Sequence, residues 1–219
     1  MTLLDFARGP ALQAALVIFI IGALWRFVGA LLLPWRLVPA QPREGSPGTV
    51  SAWLKGIAVK MWPHEPFARH GAFQFINGYI FHVGLAIVVF LFVPHILFIQ
   101  GLTGLDWPGL PNSFITAIGV VTAASLVAAL LHRLRSPVLQ LISRVDDYIS
   151  WLLTFLPVLT GLLATAHLGA RYETTLALHI LSICVFLIWF PFGKLMHAFL
   201  FAFSRGMTGV RLGQRGAEL

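Results

Sequence analysis

Long apolar runs, separated by turn-forming or charged stretches, occupy about 10–34, 73–100, 113–132, 148–168 and 175–203. Roughly 20 apolar residues of helix cross a bilayer core. The pattern therefore predicts an all-α integral membrane protein with five transmembrane helices. After the first run, Ala40 to Thr49 is rich in Pro, Gly and polar residues and predicts a flexible excursion. From Val50 to Trp62, the residues Trp53, Leu54, Ile57 and Met61 interleave with Lys55 and Lys60 at helical spacing. That predicts an amphipathic segment at about 50–62, lying on the lipid surface or docking a partner. The whole of 1–219 reads as a single transmembrane domain without internal repeats.

Composition sharpens the picture. The chain is 58% hydrophobic and 11% charged, with a mean hydropathy of +0.85, whereas soluble domains carry about a quarter charged residues. A soluble enzyme is excluded. The net charge of +7 reads as cytoplasmic loops and contacts with membrane lipid, not as a nucleic-acid surface. Arg36, Arg43, Lys55, Lys60 and Arg69 lie between the first two runs, Arg133, Arg135 and Arg144 between the third and fourth, and Arg205, Arg211 and Arg215 in the tail. The remaining connections hold Arg8 and Arg171, with no Lys or Arg between Gly101 and Asn112. This bias predicts an outer N-terminus and a cytoplasmic C-terminus, in a multi-pass protein of the cell inner membrane. A cleaved signal peptide is not expected, because Asp5 offsets Arg8 and the first apolar run is too long.

The candidate chemistry is histidine. His82 and His95 fall in the second run, His179 and His197 in the fifth, and ionisable side chains inside a bilayer are costly enough to signal function. Because the two helices run in opposite directions, His95 is expected level with His179 on the outer side and His82 with His197 on the inner side. Two facing imidazoles at one depth supply what haem iron needs beyond its four porphyrin nitrogens. Angular register is uneven. In a continuous helix the 18 positions from His179 to His197 make five full turns, whereas the 13 from His82 to His95 leave an offset of roughly 220°. Pro94 offers a kink that could turn His95 back. The lone Cys184 reads as a small buried hydrophobe and excludes covalent CxxCH haem and an iron–sulfur cluster. His64-Glu65 lacks the second histidine of HExxH, since position 68 is Ala68, and no GxSxG elbow occurs. From another functional class, a noncatalytic transporter or membrane scaffold whose histidines bind a metal ion or proton stays open.

Phe81-His82-Val83-Gly84, Leu178-His179 and the stretch Phe190-Pro191-Phe192-Gly193-Lys194-Leu195-Met196-His197 resemble the gamma, or cytochrome b, subunit of membrane-bound respiratory nitrate reductase. The wider family includes the membrane cytochrome of complexes associated with dissimilatory sulfite reductase. The resemblance spans nearly the whole chain. It implies two haem b groups, held by His82 with His197 and by His95 with His179. It also implies electron transfer in a respiratory oxidoreductase complex between quinone and a cytoplasmic iron–sulfur subunit, with quinol chemistry at the outer haem. The second-run histidines stand farther apart here than in nitrate reductase, and no lysine lies between Gly101 and Asn112. Neither that enzyme's quinone pocket nor nitrate as acceptor follows.

Arg26, Arg69, Arg133, Arg135 and Lys194 are candidates for inner haem propionates and Arg171 for an outer one, with snorkelling toward the inner surface as the other reading of Arg26. Gln100, Asp106, His167 and Glu173 are candidates for a quinone site, with haem ligation and headgroup contact as the other readings of His167. His132 and His70 read as inner-interface residues. Asp146-Asp147-Tyr148 is expected to cap and open the fourth transmembrane helix.

Overall fold

The computed structural model describes residues 1–32, 41–59, 61 and 65–217; Arg36, Lys60, Trp62 and His64 lie outside them. In chain order the helices are α1 (Leu3–Leu32), α2 (Thr49–Val59), α3 (Glu65–Leu91), α4 (Val93–Thr103), α5 (Asn112–Arg135), α6 (Pro137–Ile142), α7 (Val145–Thr165), α8 (Tyr172–Trp189) and α9 (His197–Gln214). Among the described residues there is no strand. Among the described residues, five segments are long and apolar enough to cross a membrane: Leu3–Leu32, Gly71–Leu91, Asn112–Arg135, Val145–Thr165 and Tyr172–Trp189. The protein has the architecture of a multi-pass helical membrane protein.

Three boundaries differ from expectation, each for a local reason. The first helix starts at Leu3, ahead of position 10, because Thr2 and Asp5 form a reciprocal cap. Asp5 accepts from the Thr2 N–H at 2.8 Å, and the Thr2 hydroxyl accepts from the Asp5 N–H at 3.2 Å. Pro10 is tolerated because the backbone is already distorted there: Gly9 leaves helical geometry at φ −97°, ψ −105°, within a π-type turn over Ala7–Ala11. The second run is not one helix, since α3 stops at Leu91 and Phe92 is extended (φ −84°, ψ 121°) before α4 begins with Pro94 in its first turn. The fifth run is not one helix either. It is interrupted between Trp189 and Lys194, at Phe190-Pro191-Phe192-Gly193, where Pro191 removes a backbone donor.

The chain divides into two compact units. The first contains Met1–Ile18 and Phe73–Trp189. Its core lies where α7 packs on both α5 and α8, and beside Ile115, Leu126, Leu153 and Val158 many of the residues buried there are small or hydroxylated: Gly119, Thr122, Ser125, Thr154, Ala164, Thr175 and Ala177. Small side chains let helix backbones approach in lipid. The buried hydroxyls bond to carbonyls of their own helices, Thr122 to Ile118 at 2.7 Å and Thr154 to Ser150 at 2.7 Å, so no donor is stranded. Thr122 also meets α3 at Gly84, where any Cβ would strike its hydroxyl. Cys184 is buried, as expected.

The second unit contains Phe19–Ala72 and Phe190–Leu219. Here α2 lies against α9 through glycine: a Cβ on Gly209 would stand 2.5 Å from the Gly56 Cα, and Trp53 covers Gly206. The predicted amphipathic segment is thus a helix from Thr49 to Val59, with Ala52 and Gly56 buried against the C-terminal helix. Phe19, Phe190 and Phe199 form an aromatic cluster with ring centres 5.3–6.0 Å apart, and Gly22 makes room for Pro191.

Candidate cofactor site

The break at Phe92 builds the first half of the site. Ending a helix inside an apolar span frees carbonyls that lipid cannot satisfy, at several kcal/mol each. Three are answered. The Leu91 carbonyl accepts from the Leu110 N–H at 2.8 Å, the Phe90 carbonyl from the Trp107 indole at 2.5 Å, and the Val88 carbonyl from His95 Nδ1 at 3.0 Å. The loop after α4 therefore folds back on the break, and Gly109 fits there because a Cβ would meet Val93 and Ile96. His95 is held both by its own backbone, through its N–H to the Phe92 carbonyl at 2.9 Å, and by its ring.

His179, on α8, provides the second half. Its Nδ1 lies 3.2 Å from the Thr160 hydroxyl on α7, and that hydroxyl donates its one proton to the Leu156 carbonyl at 2.7 Å. Thr160 must therefore accept from His179, which fixes the proton on Nδ1. The adjacent Gly161 seats the ring, since a Cβ there would come 3.0 Å from its Cε1.

The two rings stand with centres 6.2 Å apart and planes 15° apart. With metal–imidazole bonds of roughly 2 Å and about 1 Å from ring nitrogen to ring centre, two axial imidazoles sharing one metal stand about 6 Å apart. Carbonyls only accept, so His95 also carries its proton on Nδ1, and in both residues Nε2 is the nitrogen with the lone pair. A ligating histidine needs that tautomer, fixed by its other nitrogen. The ring spacing and the two tautomers are those that a pair of imidazoles holding one metal centre between them would need.

The same tautomer recurs at the other two histidines. His82 Nδ1 donates to the Gly78 carbonyl at 2.7 Å and His197 Nδ1 to the Lys194 carbonyl at 2.8 Å. Both side chains are exposed; His82 belongs to the first unit and His197 to the second. Because the fifth run is broken, the zero angular offset expected between His179 and His197 does not hold: they stand on separate helices.

The remaining candidates are dispersed. Arg133 is engaged, donating to Ser143 at 2.7 Å and pairing with Asp147 at 3.6 Å. Arg26, Arg69, Arg135, Arg171 and Lys194 are exposed. Asp106 and Glu173 are exposed and Gln100 is half-buried. His167 follows the end of α7 with positive φ (55°) and stacks on Tyr172, ring centres 5.1 Å apart. His132 lies 2.9 Å from the Gln74 amide. Asp146 and Asp147 occupy the first turn of α7 as expected, the latter accepting from the Arg144 N–H at 2.9 Å. Trp107, Thr160 and Gly161 complete the His95–His179 site and were not singled out by the sequence. The only advance signal for them was the dense Pro/Gly punctuation of the loop carrying Trp107 and the position of Thr160 within a span.

No family model matches the chain. A curated relative from Nitratidesulfovibrio vulgaris (strain Hildenborough), which carries the bare name "Protein", is 30% identical over 213 residues, covering 94% of this chain and 91% of its own length. The chain therefore belongs to the same family as this Nitratidesulfovibrio vulgaris protein.

Proposed function

We propose that the chain is a membrane-anchoring dihaem cytochrome b subunit that transfers electrons between the quinone pool and a cytoplasmic iron–sulfur redox partner. The reading joins the motif resemblance to the nitrate reductase gamma family with one observation that carries it: His95 and His179 face each other at 6.2 Å with Nδ1 of each held and Nε2 left as the basic nitrogen. His95 and His179 would hold the outer haem, and His82 with His197 the inner. When bound, haem supplies reversible one-electron chemistry. The chain's own residues fix ligand tautomers through Val88, Thr160, Gly78 and Lys194, keep lipid-exposed backbone satisfied around the break, and anchor the assembly in the bilayer. The Lys/Arg bias supports an outer N-terminus and a cytoplasmic C-terminus in the cell inner membrane, with quinone exchange at the outer end and partner docking at the basic inner end.

Of the alternative, a noncatalytic transporter or membrane scaffold whose histidines bind a metal ion or proton, the metal-ion form has less support from the donor set. A bare structural ion such as zinc takes about four protein donors, and among the described residues no group of three or more His, Cys, Asp or Glu is gathered. A two-histidine site suits an iron that brings four nitrogen ligands of its own. A reduced-minus-oxidised spectrum and a pyridine haemochrome assay test the proposal, with about two noncovalent b haems per chain expected. A haem content near zero overturns it.

A further inference from the structure

We propose that Thr160 is a positioning residue that sets the electron-donating strength of His179 and, through it, the midpoint potential of the outer haem; this rests on the haem reading above. Three of the four histidines give their Nδ1 proton to a backbone carbonyl. His179 alone among them also meets a side-chain hydroxyl, with the Pro157 carbonyl as a backbone partner of the same ring. The orientation of that hydroxyl is forced. Thr160 has one proton, spent on the Leu156 carbonyl at 2.7 Å, with the Pro157 carbonyl at 3.3 Å as a second acceptor. Only its lone pairs face the ring.

Ser182 completes the arrangement from α8. Its hydroxyl donates to the carbonyl of His179 itself at 2.7 Å and lies 3.2 Å from the Thr160 oxygen. The imidazole is thereby tied at its side chain to α7 and at its backbone to the next turn of α8, while Gly161 leaves the ring no Cβ to ride over. An acceptor on Nδ1–H makes the opposite nitrogen a stronger donor to a metal, and hydrogen bonding behind an axial ligand is one of the levers by which a protein sets haem potential. A stronger donor favours the oxidised iron. Because the Thr160 acceptor is a side chain, a point substitution removes it while the Pro157 carbonyl stays, which is not so at Val88, Gly78 or Lys194.

The test uses the full chain purified from membranes and follows each haem by spectroelectrochemical titration. Thr160→Val keeps the shape and deletes the acceptor; the outer component is expected to titrate at a higher potential while the inner component stays at the wild-type value. Thr160→Ser restores the acceptor and should return the outer component toward wild type. Ser182→Ala, which loosens the His179 backbone but leaves the Thr160 lone pairs in place, should move the outer potential less than Thr160→Val does. If Thr160→Val retains both haems and neither moves, Thr160 does not act on His179 and the inference fails. A shift of equal size in Thr160→Ser would also overturn it, because loss of packing would then explain the change. Absence of haem from the wild-type protein is a different outcome, which removes the functional reading itself.

Discussion

The Trp107 indole donates to the Phe90 carbonyl at 2.5 Å, spanning 17 positions of sequence. A loop residue thereby closes a backbone gap inside an apolar segment. Replacing it by phenylalanine leaves the carbonyl without that donor, a loss on the order of 1–3 kcal/mol, and loosens the break that carries His95. Trp107→Phe is expected to lower the thermal midpoint in detergent and to reduce haem content selectively in the outer component. Full haem retention at an unchanged midpoint would mean that the loop does not hold the break.

Facing histidines must fail together. His95→Ala and His179→Ala should each abolish the same spectral component, and His82→Ala and His197→Ala the other. Redox titration of the four variants decides it. Should His95→Ala and His179→Ala remove different components, the 6.2 Å pair is not an axial pair.

At the α2–α9 contact the backbones touch, so volume cannot be added. Gly209→Ala places a Cβ 2.5 Å from the Gly56 Cα and from the Ala52 carbonyl oxygen, an overpacking cost of roughly 1–3 kcal/mol. Limited proteolysis should then cut faster between residues 41 and 59. Wild-type resistance would argue that the two helices do not pack in solution.

Arg133 is committed to Asp147 and Ser143, which leaves little of its charge for a propionate. A double-mutant cycle on Arg133 and Asp147 should give a coupling below about 1 kcal/mol, since the arginine is about a third exposed. Arg133→Ala should keep its inner haem. Loss of that haem would return the arginine to the propionate role.

If the proposed function holds, quinone exchange at the outer end would leave a kinetic signature. A quinol analogue should reduce the wild-type haems rapidly and the inner haem of His179→Ala slowly. Full-rate reduction in that variant would locate the exchange elsewhere, and Lys55 crosslinks confined to an outer protein would speak against partner docking at the inner face.

The number of spans was legible because twenty apolar residues in a row have few other uses. The breaks were not, since apolar composition continues through Phe92 and Phe190 while backbone direction does not. Pro94 and Pro191 flagged the places, but whether a proline kinks or ends a helix depends on who answers the freed carbonyls, and Trp107 and Leu110 lie beyond any local window. The four histidines stood out as ionisable groups in lipid. Thr160 did not, because a threonine bonded to its own helix looks like any other until the ring beside it is placed. The α2–α9 contact was written in Gly56, Gly206 and Gly209, whose spacing is visible but whose partners are not.

The interruption at Phe92 also changes what the spacing between His82 and His95 means. In an unbroken helix each added or deleted residue swings everything beyond it by about 100°, so two ligands would tolerate only a few separations. Here the angular setting of His95 is fixed by the α4 start and the returning loop, which act as a joint between two rods. Separation along the chain and direction across the bundle become independent variables. A residue inserted ahead of the joint alters height by about 1.5 Å and can leave the aim of His95 to be restored at Phe92, so relatives of this chain are free to vary the interval between these two histidines more widely than helical phase alone would permit.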